Sequence, residues 1–334
     1  MATSSTAITR YELSLPMAEI DLEANRRGFV APAILRPAHV GLQAAQIGKL
    51  PPNQLISTVP STARASGAGY GRDDFEMDQF SYSTQDHGRE APMDDRQLAI
   101  YAGILNAEQV HAGRAINFVL QDFEQQCAAA CINTGTFTGA LTGGVTNGVW
   151  STHASATPID DIHQALEAVR LNSGLEPNVV EMNALAFWHA MNTAQVIDRV
   201  KYTKTATMQE LAGMLAAVLG VSRVVVPGLP EGGLKNVNNQ ANSTVSFSRI
   251  WPNTTVFVGR AAMTEDLQEP CFGRAFIWKG EGEAPTSPGD DQELAVIVEE
   301  YREEKVRGSV VRARTDWDIQ IMYAAAGYNL TGVL

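Results

Sequence analysis

The spacing of hydrophobic positions changes from one segment of the chain to the next, and the clearest changes fall between Thr157 and Val226. Ile162, Ala165, Leu166 and Val169 recur at three- and four-residue spacing, which predicts a helix with one buried face. Thr157 is placed to cap it, and Pro158 follows at a position where a missing N–H costs nothing. Asp160 and Asp161 then face the positive end of the helix dipole, and Gly174 supplies the left-handed residue that ends the run. Pro177 and Asn178 turn the chain into a short apolar run, Val179 to Met182, read as a strand. Asn183 is placed to cap a second helix carrying Leu185, Trp188 and Met191, and Thr207 a third with Met208, Leu211, Leu215 and Leu219 along one side. Gly220 releases that helix into Val221 to Val226, whose β-branched residues predict a strand in the middle of a sheet.

Elsewhere the pattern is less even. Up to about Val40, short apolar patches are interrupted by Pro16, Pro32 and Pro37, which predicts an extended arm. From Gly41 to Gly88 the chain is rich in Gly, Ser and charge, with alternation at Phe75 and Met77 and then, one residue out of phase, at Phe80 and Tyr82. Both a long projecting β-hairpin and an irregular surface loop fit that pattern. Asp94 to Ile132 carries the longest helical stripe, Leu98, Tyr101, Leu105, Ala112, Ile116, Val119 and Phe123, enough for a rod of roughly 55 Å. A turn-rich loop is expected after Val226, strands at Thr254 to Val258 and Ala275 to Trp278, and a charged break at Glu281 to Asp291. Leu294 to Tyr301, Val306 to Arg314 and Trp317 to Tyr323 then predict three consecutive antiparallel strands packed on the long helix.

Composition narrows the functions open to such a chain. With 334 residues, 45% of them hydrophobic and 19% charged, a large core is available and wholesale disorder is not expected. No apolar run approaches the roughly 20 residues that span a bilayer, and the first residues lack the blocks of a secretory signal, so a soluble protein made in the cytoplasm is expected. Twenty-five basic against thirty-seven acidic side chains give a formal charge of −12, which opposes specific binding of a phosphate backbone.

Candidate chemistry is sparse. The three cysteines, Cys127, Cys131 and Cys271, cannot close a disulfide framework; Cys127 and Cys131 lie one helical turn apart and read as buried small hydrophobes in preference to metal ligands. Gly67 to Gly71 and Thr142 to Gly148 resemble phosphate loops only in glycine content and are read as turns. The histidines, His39, His87, His111, His153, His163 and His189, include no pair one turn apart on a helix and are read as solvated or core residues. The adjacent acids Asp73 and Asp74, or Asp160 and Asp161, point in different directions and are read as caps and solvated faces. No catalytic, cofactor-binding or metal-binding residue is assigned, and no enzyme activity is expected.

Four pieces in order carry a resemblance. They are EIDLEANRRGFVAPAIL, HGREAPMDDR leading into the long helix, TPIDDIHQALEAVRLNSGLEPNVVEMNALAFWHAM followed by VIDRVKYT, and EEYREEKVRGSVVRAR with YAAAGYNL. In this order the chain resembles the major capsid proteins of tailed bacteriophages, the Hong Kong ninety-seven fold shared with some encapsulated bacterial compartments. The resemblance implies an α+β fold with an N-terminal arm (1–40), an extended β-hairpin loop (41–90), a peripheral domain with a spine helix (91–159), a mixed α/β axial domain (160–290) and closing strands of the peripheral domain (291–334). It implies a structural head protein that self-assembles through pentamers and hexamers into an icosahedral shell around double-stranded DNA, in the virion, after synthesis in a host cytoplasm. A separate scaffolding protein and a portal are the implied partners, a decoration protein fits the same plan, and contact with packaged DNA would be non-specific. An encapsulin-like nanocompartment shell is the alternative with the same fold, and a soluble hydrolase the alternative from another class.

Overall fold

A computed structural model of the chain describes residues 8–9, 26–49, 51, 54, 56, 61–72, 74, 76–101, 107–200, 207–229, 231–237, 246–278, 294, 296–305 and 307–334. Most of the expected arm, Asp73, Phe75, Leu105, Val306, the 281–291 break and parts of the 41–88 and 227–246 segments lie outside the described residues.

One long strand organises the first sheet. Strand β14 (Gly308–Ile321) pairs antiparallel with β13 (Ile297–Glu303) and with β5 (Gln85–Asp94), and from Asp316 to Ile321 with β12 (Gly273–Trp278). Strand β2 (Pro37–Val40) adds in parallel to β12, and β1 (Ile8–Thr9) antiparallel to β13. Val306 to Arg314 and Trp317 to Tyr323 were expected as two strands, but their described residues up to Ile321 run on as one. Thr315 and Asp316 keep ladder partners, His87 and Asp86 on β5, while β12 takes up pairing from Asp316, so nothing breaks the strand between them.

The expected single rod from Asp94 to Ile132 is described as two helices, α2 (Asp95–Tyr101) and α3 (Ala107–Cys131), with residues 102–106 outside the description. Asp94 itself ends β5, and its carboxylate accepts the Arg96 N–H at 2.8 Å as the chain turns into helix. The 25 residues of α3 give about 37 Å at the usual rise. Its stripe, Ala112, Ile116, Val119 and Phe123, extended by Ala115, Cys127 and Cys131, is buried against β5 and β14.

The base of the 41–88 segment is a β-hairpin. Strand β3 (Ala44–Lys49) pairs antiparallel with β4 (Asp78–Ser83), placing Ala44 opposite Ser83 and Lys49 opposite Asp78. Tyr82 stacks on Phe276 of β12 with ring centroids 4.6 Å apart, and Phe80 leans on the same ring at 5.7 Å, which ties the hairpin to the first sheet. Beyond this base, residues 61–72 are exposed throughout.

The second sheet runs β6 (Thr142–Gly144), β15 (Gly327–Thr331), β11 (Thr255–Gly259), β7 (Val179–Met182), β8 (Arg223–Val225), with the β6–β15 and β7–β8 pairs parallel and the others antiparallel. Helices α4 (Pro158–Ser173), α5 (Ala184–Met191), α6 (Ala194–Val200) and α7 (Met208–Leu219) accompany it. Strands β7 and β11 are buried on both faces. Val180, Met182, Val256 and Val258 enter a core shared with α4 and α7, while Val179 and Phe257 enter the core around α3. The run Val221 to Val226 forms the edge strand β8 and not a central one, because only β7 pairs with it. A small pair, β9 (Leu234–Asn236) and β10 (Phe247–Arg249), stands apart.

Strand pairing cuts across the expected five segments. Strand β12, inside 160–290, belongs to the first sheet, while β6 and β15, from the segments on either side, complete the second. Local capping follows the expected scheme in part. Gly174 (φ 70°) and Gly220 (φ 71°) end α4 and α7 in the left-handed conformation, Asn183 accepts the Leu185 N–H, and Thr207 forms a reciprocal capping box with Glu210. Thr157 instead accepts a hydrogen bond from the Asn147 side-chain amide and makes no cap bond of its own.

Candidate functional site

The residues weighed as possible chemistry do not gather into one centre. Cys127, Cys131 and Cys271 are free thiols with no exposed surface. Burial pushes the first two well above the ordinary thiol range and Cys271 up to about 11, so none is a thiolate nucleophile at neutral pH. Gly67 to Gly71 stays an exposed turn region, but the first three residues of Thr142 to Gly148 form β6, where Gly143 lies against the Tyr328 hydroxyl. Asp161, read from sequence as a cap or solvated acid, is fully buried. Its carboxylate accepts the Thr146 N–H at 3.0 Å, the Thr146 hydroxyl at 2.6 Å and the Trp150 indole N–H at 3.0 Å, pinning the 146–150 loop to α4. Among the described residues no group of three or more His, Cys, Asp or Glu is placed to hold a metal ion, and no helix is long and apolar enough to cross a membrane.

Two histidines that sequence spacing kept apart do meet. His153 Nε2 and His189 Nδ1 are 3.0 Å apart, with Trp188 set edge-on to both rings. His87 stacks on Trp317 with centroids 3.9 Å apart and lies 3.6 Å from the Asp122 carboxylate. These contacts join residues far apart in the chain and leave no trace in helical or strand periodicity.

A buried acid on α3 is a strong polar anchor, and a second on β7 is left unpaired. The Glu124 carboxylate accepts the Val30 N–H at 2.8 Å, the Ala31 N–H at 2.9 Å and the Trp251 indole N–H at 2.7 Å. It thereby fixes the short helix α1 (Ala31–Ile34) and the region before β11 onto the long helix. Burial lifts this carboxyl above the ordinary range against the pull of those three bonds. Glu181 sits inside the apolar-looking run Val179 to Met182. It is fully buried, and neither carboxyl oxygen has a hydrogen-bond partner of good geometry. Burial pushes it well above the usual carboxylate range; the nearby Phe257 N–H offsets part of this, and the Glu124 charge adds to it.

Charge on the first sheet is organised in pairs. Glu299 receives Arg312 at 2.5 Å and Arg314 at 3.0 Å across the β13–β14 ladder, and Arg302 makes a two-pronged contact to Asp95 at 3.0 and 2.7 Å. Burial works to raise the Glu299 carboxyl, but the two arginines outweigh it and hold it below the ordinary range. Large apolar side chains are exposed at scattered positions, Leu171, Val237 and Phe247 among them, and in two groups. Leu42, Ile56, Tyr70 and Met77 lie along the hairpin segment, and Leu185, Trp188, Ile197 and Met208 on α5, α6 and α7. On α5 the expected face is reversed: Ala186, Phe187 and Ala190 are buried, while Leu185 and Trp188 are 39% and 44% exposed.

Comparison with known proteins bears on the fold. No protein-family model matches the chain, and no curated protein matches it in sequence. Solved structures do. A phage-related protein from Bordetella bronchiseptica is similar with a TM-score of 0.63 at 19% identity, covering 98% of each chain. The mature capsid of bacteriophage PhiM1 is similar at 0.53 and 12% identity, over 95% of this chain and 88% of the capsid chain. The SrpI encapsulin of Synechococcus elongatus is similar at 0.51 and 10% identity, over 98% and 96%. The chain therefore has the mixed α/β fold of phage capsid proteins, which encapsulins share.

Proposed function

We propose that this chain is a structural shell subunit, the major capsid protein of a tailed phage, and not an enzyme. The observation that supports the reading is the likeness of nearly the whole chain to phage capsid chains, over 95% and 99% of its length. Two physical features support it. Exposed apolar side chains on the hairpin segment and on α5 to α7 offer separate surfaces, as head-to-tail contacts that close into rings require. Among the described residues, the buried or half-buried acids Glu124, Asp161 and Glu299 fasten elements together, and no nucleophile and base are seen facing a common cavity.

In this reading the hairpin at 41–90 reaches over a neighbouring copy, α3 is the spine of a peripheral domain, and the second sheet with α4 to α7 forms the axial domain around five-fold and six-fold centres. The division 160–290 is adjusted so that β6 and β15 join the axial domain and β12 the peripheral one. Pentamers and hexamers of the chain would build an icosahedral head in the virion, assembled in a host cytoplasm with a separate scaffolding protein and a portal. The formal charge of −12 disfavours tight adhesion of the enclosed DNA.

An encapsulin-like compartment shell is the second reading, favoured by the SrpI likeness. Electron microscopy of the chain expressed alone and with its genomic neighbours separates these. Closed shells that need a scaffolding protein support the phage reading, and shells that carry an enzyme through a cargo peptide support the compartment. Small soluble particles in every combination would overturn both, and saturable turnover by a monomer would revive a hydrolase.

A further inference from the structure

We propose that His153 and His189 form a two-imidazole binding site for a divalent late first-row transition-metal ion of the Cu²⁺ and Zn²⁺ class, on the outer side of α5. The proposal goes beyond the shell reading and does not depend on it.

Geometry is the first ground. Two imidazole nitrogens bound in adjacent positions to such an ion, each at about 2.0 to 2.1 Å, lie about 2.9 to 3.3 Å apart for angles between square and tetrahedral. His153 Nε2 and His189 Nδ1 are 3.0 Å apart, with their ring planes inclined by 39°. The pair is therefore at ligand spacing without any backbone movement.

The second ground is that both rings are held by structure outside the pair. His153 lies in the loop fastened by Trp150, whose indole N–H bonds to buried Asp161 and whose backbone N–H bonds to the Val333 carbonyl. The His153 carbonyl accepts the Ala194 N–H, tying the loop to the start of α6. His189 sits in the last turn of α5, whose closing carbonyls on Trp188, His189 and Ala190 accept from Asn192 and Thr193 and so fix the backbone there. Trp188 is 4.8 Å from the His189 ring and 5.9 Å from the His153 ring, centroid to centroid, and limits how far either ring turns. A site supported in this way loses little freedom on binding.

Protonation is compatible. Burial, then the neighbouring His153, lowers His189 below the ordinary imidazole range, which favours its neutral, ligating form. Without metal, one facing nitrogen donates its proton to the other. Coordination moves that proton to the outer nitrogen of the same ring, so both lone pairs face the ion. Two protein ligands leave open positions. Among the described residues no third His, Cys, Asp or Glu completes the set, so water or a carboxylate from a second copy occupies the remainder.

The test is titration of the full chain with Cu²⁺, read by electron paramagnetic resonance and by calorimetry, with Zn²⁺ as competitor. We expect one saturable ion per chain coupled to two histidine nitrogens and displaced by Zn²⁺. His153→Ala and His189→Ala should each weaken it by about tenfold or more, because one imidazole remains. His163→Ala, exposed on α4, should leave affinity unchanged. Should a variant fail to fold, ¹⁵N-histidine labelling of the unaltered chain counts the coupled nitrogens directly. Coupling to fewer than two histidine nitrogens, or equal affinity in the unaltered chain and both single variants, would overturn the proposal.

Discussion

Replacing Glu181 by Met should stabilise the protein, and by more as the pH rises. Glu181 is fully buried in the core beside α3, and neither carboxyl oxygen has a hydrogen-bond partner of good geometry. A buried polar group left without a partner costs about 1 to 3 kcal/mol even when neutral. Met has a similar volume and no polar group to leave unpaired. The pH dependence follows from the raised pKa. The folded chain holds this proton more tightly than the unfolded one, so the carboxyl's contribution is most favourable below the ordinary glutamate value near 4.5. As the pH rises from there towards the folded value, the unfolded chain releases the proton first, and stability falls by about 1.4 kcal/mol per pH unit. The difference between Glu181→Met and the unaltered chain should therefore widen from pH 5 to pH 8. Calorimetric melting of both proteins in the same assembly state measures it, at about 2 °C per kcal/mol for a chain of this size. A Met variant that melts lower at pH 7, or a difference that stays flat with pH, would refute the reasoning.

Other substitutions test neighbouring parts of the argument. Glu124→Ala leaves the Val30, Ala31 and Trp251 N–H groups without their acceptor and should cost about 3 to 6 kcal/mol in denaturant unfolding; Glu124→Gln, which keeps one carbonyl acceptor, should cost about half as much. Gly143→Ala puts a Cβ onto the Tyr328 hydroxyl and should lower the melting temperature, with Tyr328→Phe in the same chain restoring most of the loss. Phe276→Ala removes the ring on which Tyr82 and Phe80 rest, so limited proteolysis should cut the 41–88 segment faster while α3 stays protected. Leu185→Asp, on an exposed position of α5, should leave subunit melting within about 2 °C but reduce the yield of closed shells seen by electron microscopy.

What the sequence made legible was local. The ends of α4, α5 and α7 are set by residues at those ends, Pro158 and Gly174, Asn183, and Thr207 and Gly220, and all of these are in place. The buried face of α5 was not legible, since Leu185, Trp188 and Met191 and the set Ala186, Phe187 and Ala190 both repeat at helical spacing. The core takes Ala186, Phe187 and Ala190 and leaves Leu185 and Trp188 partly outside, with Met191 packed at its margin. β8 has the composition of a central strand but lies at an edge, because strand order depends on pairings that apolar content does not encode. The continuity of β14 through Thr315 and Asp316 depends on β5, more than 200 positions earlier in sequence. Glu181 and Asp161 are buried through contacts of the fold, and the His153–His189 pair is closed by the loop after Trp150. None of these leaves a periodic mark in its own segment.

The placement of β14 and β15 has a consequence for the order of events during synthesis. β14 is the strand on which β5, β12 and β13 all pair, and β15 lies between β6 and β11. At roughly 5 to 20 residues per second, β5 and β6 wait on the order of ten seconds or more for partners that have not yet been made. The first sheet closes only once the chain has emerged past Ile321 and the second once it has emerged past Thr331, about ten residues later. Before Ile321 emerges a nascent chain therefore has no finished sheet with which to engage another copy, so its competence to associate arrives within the short stretch from Ile321 to Thr331.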